Sequence, residues 1–240
     1  MIRVVVWLVV VWSIALAVPL EASARSRPLQ RSTLRRPSIR AQVPIATNTV
    51  WPRPEVLDLA MRAYRCGRST GSFAGSLLTV IDYSLPSTAP RLWVIDVARK
   101  RILFHELVAH GEGSGDNYAV EFSNEPGSRQ SSIGVFRTER VYRGGNGYSL
   151  RLAGLEPGVN DLAMERRIVI HGAQYVSVHA VNALGRLGRS WGCPALSSGI
   201  SRRVIDRIKG GSAVFAYYPD QRWLRQSRFL SCNAVRVASR

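Results

Sequence analysis

Between residues 78 and 152 the chain breaks into five short runs rich in β-branched and aromatic residues, and this pattern narrows the fold more than any other feature. The runs cover residues 78–83, 91–97, 101–110, 132–137 and 148–152. Turn-forming pieces separate them, among them Ser84-Leu85-Pro86-Ser87, the glycine-rich 111–115 and Gly144-Gly145-Asn146-Gly147. Runs this short cannot bury a helical face, whereas strands of this length joined by Gly, Pro, Ser and Asn turns build a largely antiparallel sheet. The runs on either side of Lys100 are close enough to form a hairpin. A further strand, 166–170, leads into His171, and 213–218 supplies the last one.

Helical periodicity is confined to a few places. Pro54 opens a pattern in which Val56, Leu59, Ala60, Ala63 and Tyr64 recur at steps of one helical face, with Gly67 placed to end it. Ile200, Val204, Ile205 and Ile208 line a second helix closed by Lys209-Gly210-Gly211. The expectation is one mainly β domain with a few helices over residues 54–219. A chain of 240 residues with 46% hydrophobic content can fill such a core. Residues 220–240 form a tail in which Trp223, Phe229 and Cys232 are the candidates for docking on the body.

The first 24 residues fit an export signal: Arg3, an apolar run over 4–18, then the small-x-small site Ala22-Ser23-Ala24. An uncleaved anchor is the alternative, and only then is a membrane a partner. The apolar run falls short of the ~20 residues a spanning helix wants, which favours cleavage. Residues 25–53, rich in Arg, Pro, Ser and Thr, read as a basic flexible linker. The expected location is the periplasm or cell surface. The formal charge of +17 comes almost wholly from arginine, since Lys100 and Lys209 are the only lysines. These arginines are spread along the chain without a nucleic-acid motif, so no nucleic acid is expected, and polyanionic envelope material fits the charge better.

Three cysteines leave one over in an oxidising compartment. Cys66 and Cys232 can pair, which would free Cys193, although any two of the three can be neighbours on sequence grounds. Cys193 lies in Ser190-Trp191-Gly192-Cys193-Pro194, and His171-Gly172 follows the apolar 168–170. A thiol becomes a nucleophile when an imidazole, a cation or a helix amino terminus favours the thiolate. His171 and the helix after Cys193 offer two of these. Gly192 permits close approach of substrate to the backbone, so peptide N–H groups near Gly192 and Cys193 are candidates for an oxyanion site. His179, His110 and His105 compete with His171 for the role of base. No metal-ligand spacing of the Cys-x-x-Cys or His-Glu-x-x-His kind occurs, so neither a metal nor another cofactor is expected.

With these residues in view, His171-Gly172 followed by Ser190-x-Gly192-Cys193 resembles the signature of the murein L,D-transpeptidase catalytic domain family. Supporting segments run in order over half the chain: Ile81-Asp82-Tyr83-Ser84, Arg91 with Val94-Ile95-Asp96, Ala109-His110-Gly111, Phe122-Ser123-Asn124, Ser131-Ser132-Ile133-Gly134, Gly154-Leu155-Glu156, and the stretch 188–196. Trp191 stands where the family commonly has a second histidine, and Pro194-Ala195 stands where Ile/Leu and Arg/Asn are common. The interval between His171 and Cys193 suggests that part of 176–187 is an insertion or flap.

The resemblance implies a β-sandwich or barrel catalytic domain acting on peptidoglycan stem peptides, both donor and acceptor. Cys193 would attack the carbonyl at position three of a tetrapeptide, His171 would act as base and then as acid, and the Gly172 carbonyl would orient the imidazole. Ser190 would shape the turn. Arg189, Tyr142, Tyr148 and His110 are the candidate substrate contacts, although a structural place suits His110 slightly better. A carboxypeptidase on the same scaffold, or a non-catalytic basic wall-binding module, are the alternatives. Sortases share the His-before-Cys order but place Thr-x-Thr-Cys before a later arginine, which this chain lacks.

Overall fold

The computed structural model describes residues 50–232, so the expected signal segment and most of the basic linker lie outside the described residues. Eight strands form one mixed sheet in the order β3-β2-β1-β8-β4-β5-β6-β7. They are β1 (Leu77–Asp82), β2 (Leu92–Asp96), β3 (Arg101–Glu106), β4 (Gly134–Gly144), β5 (Gly147–Gly154), β6 (Val169–Ala173), β7 (Ala195–Ser197) and β8 (Ala213–Tyr217). Five helices accompany them: α1 (Pro54–Ser69), α2 (Val178–Leu184), α3 (Ser198–Ile208), α4 (Gln221–Gln226) and α5 (Arg228–Ser231). The mainly β class holds. All neighbours are antiparallel except β1 with β8 and β6 with β7. The chain beyond β3 then bridges to the far edge, where Ala109 exchanges backbone hydrogen bonds with Ala195 and Gly111 pairs with Ser190. The sheet is therefore nearly closed.

The central strands are covered on both sides, which is why they read as continuous apolar runs rather than alternating ones. On one side Leu78, Val80, Trp93, Ile95 and Phe215 meet α1 and the end of the chain. On the other, Ile81, Val94, Phe136, Leu150, Ile170 and Leu196 meet Val204, Ile205 and Ile208 of α3. Successive residues of a strand point to opposite faces, so the two sets interleave along each strand. The hairpin expected at Lys100 is present, with Lys100 at a φ of +50°. The β4–β5 hairpin turns at Gly144 and Gly147.

Residues 220–232 are built into the body. Trp223, Phe229 and Leu230 are buried, Trp223 donates its indole N–H to the buried carboxylate of Glu156 at 3.0 Å, and Cys232 is bonded to Cys66 of α1. Residues 176–187 hold α2, capped by the Ser177 hydroxyl at its start and by Gly185 in the left-handed region at its end. Among the described residues no helix is long and apolar enough to cross a membrane.

Candidate active site

His171 lies in β6, where it pairs with Ala195 of the parallel neighbour β7. Cys193 sits two residues ahead of Ala195, so the register of two adjacent strands sets the thiol turn beside the entry to β6. The Cys193 sulfur donates to the Arg167 carbonyl at 3.7 Å and receives the Val169 backbone N–H. His171 is buried, and its Nδ1 is 3.1 Å from the Gly172 carbonyl. With the Nδ1 proton donated there, Nε2 is the nitrogen that can accept a proton.

The turn is fixed from several directions. Ser190 Oγ accepts the Gly192 N–H at 3.1 Å and donates to the Cys193 carbonyl at 2.6 Å. Ser131 Oγ donates to the Gly192 carbonyl at 3.0 Å and accepts the Gly111 N–H at 2.9 Å. Gly192 has a φ of +117°, and a Cβ there would stand 2.8 Å from the Gln130 carbonyl oxygen, so the position admits only glycine without strain. This amends the expected oxyanion site. The Gly192 N–H is committed to Ser190, whereas the Cys193 N–H has no acceptor among the described residues.

Arg166, unremarked in the sequence, lies beneath this turn. Its guanidinium donates to Gln130 O at 2.6 Å, Ser132 Oγ at 2.6 Å, Ser128 Oγ at 3.1 Å and the Ser123 carbonyl. Burial pushes the Cys193 thiol above its ordinary 9.0, while the Val169 N–H and the Arg166 charge pull it back. Burial also holds the His171 imidazole below 6.5, against the Gly172 carbonyl, which raises it. Both shifts favour neutral forms, so at neutral pH the pair rests as thiol and imidazole rather than as an ion pair. Tyr175 is a second neighbour that the sequence pattern left unmarked; burial and the nearby Cys193 charge push its phenol up to about 12.

The other candidates separate. His110 is fully enclosed, with Nδ1 2.7 Å from an Arg91 guanidinium nitrogen and Nε2 3.3 Å from the Gly115 carbonyl. Burial and the Arg91 charge hold it down to about 4, and it serves to pin the 110–115 loop. Arg189 is spent on Gly115 O at 3.0 Å and Asp116 at 2.9 Å. Tyr148 is on the α3 side of the sheet, opposite His171, with its hydroxyl 2.6 Å from Asp206. Tyr142 pairs across β5 through Ser149, the register partner of His171, and so shares the face of His171. His179 is exposed on α2, and His105 stacks on Trp93. Trp191 projects into solvent with the Arg129 guanidinium over its ring at 4.8 Å. Among the described residues no cluster of three or more His, Cys, Asp or Glu side chains could hold a metal ion.

With this geometry in place, comparison with family models gives one match, the L,D-transpeptidase catalytic domain, over residues 50–217. The chain belongs to the L,D-transpeptidase catalytic domain family. The matched span covers every strand of the sheet and both candidate reacting side chains. Solved structures similar to it include Mycobacterium tuberculosis L,D-transpeptidase 1 (16% identity, 59% of this chain and 61% of that one, TM-score 0.34). An L,D-transpeptidase from Stackebrandtia nassauensis is 14% identical over 69% of this chain and 67% of that one, with a TM-score of 0.36. The helical cell shape determining protein Pgp2 from Campylobacter jejuni is 15% identical over 71% and 58%, with a TM-score of 0.39. The chain thus spans about 60% of the length of the first of these relatives. No curated protein sequence matches the chain.

Proposed function

We propose that this L,D-transpeptidase domain is an exported enzyme of the periplasm or cell surface that acylates Cys193 with a peptidoglycan stem peptide and passes the acyl group to an amine. The observation that carries the reading is the β6–β7 register, which puts the Cys193 turn beside the strand of a histidine whose Nδ1 is already occupied by the Gly172 carbonyl. As the sulfur attacks the carbonyl carbon of residue three, the thiol proton passes to His171 Nε2 and the C=O electrons move onto oxygen. The Cys193 N–H is the free donor at that place. Collapse breaks the C–N bond to the terminal D-alanine, whose nitrogen takes the proton from the imidazolium. An acceptor amine then attacks the thioester, its proton returns through His171, and the thiol is restored.

The resting neutral pair has a kinetic meaning here. Proton transfer accompanies attack instead of preceding it, so the thiol survives in an oxidising compartment without a standing thiolate. The test is direct. A purified stem tetrapeptide should lose D-alanine with wild-type protein and acquire an added amine as a new amide, both detected by mass spectrometry, and Cys193→Ala should abolish both. Undiminished D-alanine release from Cys193→Ala would remove the nucleophile and the proposal with it. Release without capture of the amine would assign hydrolysis instead of transfer.

A further inference from the structure

Beside the thiol turn, on the His171 face of the sheet, a cleft runs between β4, β5 and the segment entering β6. Tyr142, Arg151, Met164, Arg167 and Val169 line it. It adjoins the reacting atoms through shared backbone: the Arg167 carbonyl takes the Cys193 S–H, and the Val169 N–H meets the sulfur. Arg151 pairs with Val169 across the β5–β6 register, one row from the Ser149–His171 pair on the same face. Diagonal neighbours of this kind have Cα atoms about 7–8 Å apart, which an arginine side chain easily spans.

The charge of the cleft is unbalanced. Neither the Arg151 nor the Arg167 guanidinium meets a carboxylate among the described residues, although ten other ion pairs form. Arg151 is partly buried and is held over the Tyr142 ring at 4.7 Å, so its position is fixed by stacking and its N–H groups are left for a ligand. A guanidinium that lines a cleft, lies over an aromatic ring and meets no protein carboxylate is suited to a ligand carboxylate, which it can meet with two parallel hydrogen bonds.

We infer that Arg151, positioned by Tyr142 and assisted by Arg167, binds a free carboxylate of the acyl donor within about one residue of the scissile carbonyl. This rests on the proposed reaction and specifies what that reaction selects. A stem peptide offers the carboxylate of the leaving D-alanine and, where residue three is a diaminodiacid, the carboxylate of its side chain. Both have the same chemistry, and amidation distinguishes them.

The experiment uses the full chain and three tetrapeptide donors: one with both carboxylates free, one amidated at the terminal carboxylate, and one amidated on residue three. Arg151→Ala should raise KM for the free donor about tenfold to a hundredfold, with kcat little changed, and Arg151→Lys should recover part of the loss. For the donor amidated at the recognised carboxylate, wild-type KM should already be raised and Arg151→Ala should add nothing. Equal losses on all three donors, or no loss on any, would overturn the assignment. Calorimetric binding of the same peptides to Cys193→Ala protein makes the same comparison without turnover. Turnover that survives Cys193→Ala would defeat the proposed function, while turnover that is indifferent to Arg151 and to amidation defeats only the inference.

Discussion

Substituting Gly192 by alanine tests how the thiol turn is held. At a φ of +117° an L side chain is strained, and its Cβ would lie 2.8 Å from the Gln130 carbonyl oxygen and 3.3 Å from Ile168 Cδ1. The backbone term is about 1–3 kcal/mol. The contact adds about 1–3 kcal/mol, because the Gln130 carbonyl is itself clamped by Arg166 at 2.6 Å and cannot yield freely. The sum, about 2–6 kcal/mol, should lower Tm by about 4–24 °C in a domain of this size. Two controls separate the causes. Gly75→Ala, at a φ of +68° with open space around it, carries the strain without the contact and should cost about 1–2 kcal/mol. Gly199→Ala, within α3 and also in open space, should stabilise by about 0.5–1 kcal/mol. Thermal unfolding of the three variants, with tetrapeptide turnover measured well below each Tm, completes the set. Turnover should fall about tenfold to a hundredfold in Gly192→Ala, since Cys193 moves with its neighbour. If Gly192→Ala proves no less stable than Gly75→Ala, the close approach to Gln130 does not hold the turn.

His110 makes stability depend on pH with a definite sign. Its pKa is about 4 in the folded chain and 6.5 when unfolded, so its contribution is present above 6.5 and is lost as pH falls towards 4, about 3 kcal/mol in all. Denaturant unfolding at pH 7 and pH 4 should show this loss, and His110→Gln should flatten it; an unchanged slope would contradict the buried neutral imidazole. Reduction of the Cys66–Cys232 bond, which closes a loop of 166 residues, should cost about 2–5 kcal/mol and detach the last helices first, as read by hydrogen exchange in α5. Alkylation of Cys193 by iodoacetamide should keep accelerating beyond pH 9, and Arg166→Met should move the midpoint higher still, because that charge favours the thiolate. A midpoint below 9, or one that falls in the variant, would reverse the assignment of a resting thiol.

Much of the architecture was legible because strand pattern and turn chemistry are local. The runs around Lys100 form the hairpin their spacing predicts, residues 144–147 make the turn their composition predicts, and the helix carrying Val204 and Ile208 falls where its periodicity puts it. The site was half legible. His171, Gly172, Ser190 and Cys193 carry recognisable chemistry at recognisable positions, and only the strand register puts Tyr142 on the face of His171. Tyr148, six residues later, was indistinguishable from it by residue type. The hairpin register pairs Tyr142 with Ser149 and Tyr148 with Arg143, so alternation along β5 sends Tyr148 to the α3 side, where Asp206 takes its hydroxyl.

By itself, then, the sequence determined the mainly β class, the position of the thiol turn and the histidine before it, because each depends on residue type and on spacing along one segment. The tertiary structure alone decided which groups surround them. Arg166 reaches the turn by crossing to carbonyls of residues 123 and 130, the Gly192 N–H is spent within its own turn, and Arg151 comes to the cleft through pairing of β5 with β6. Those contacts join segments distant in the chain, and no local periodicity encodes them; closure of the sheet brings them together.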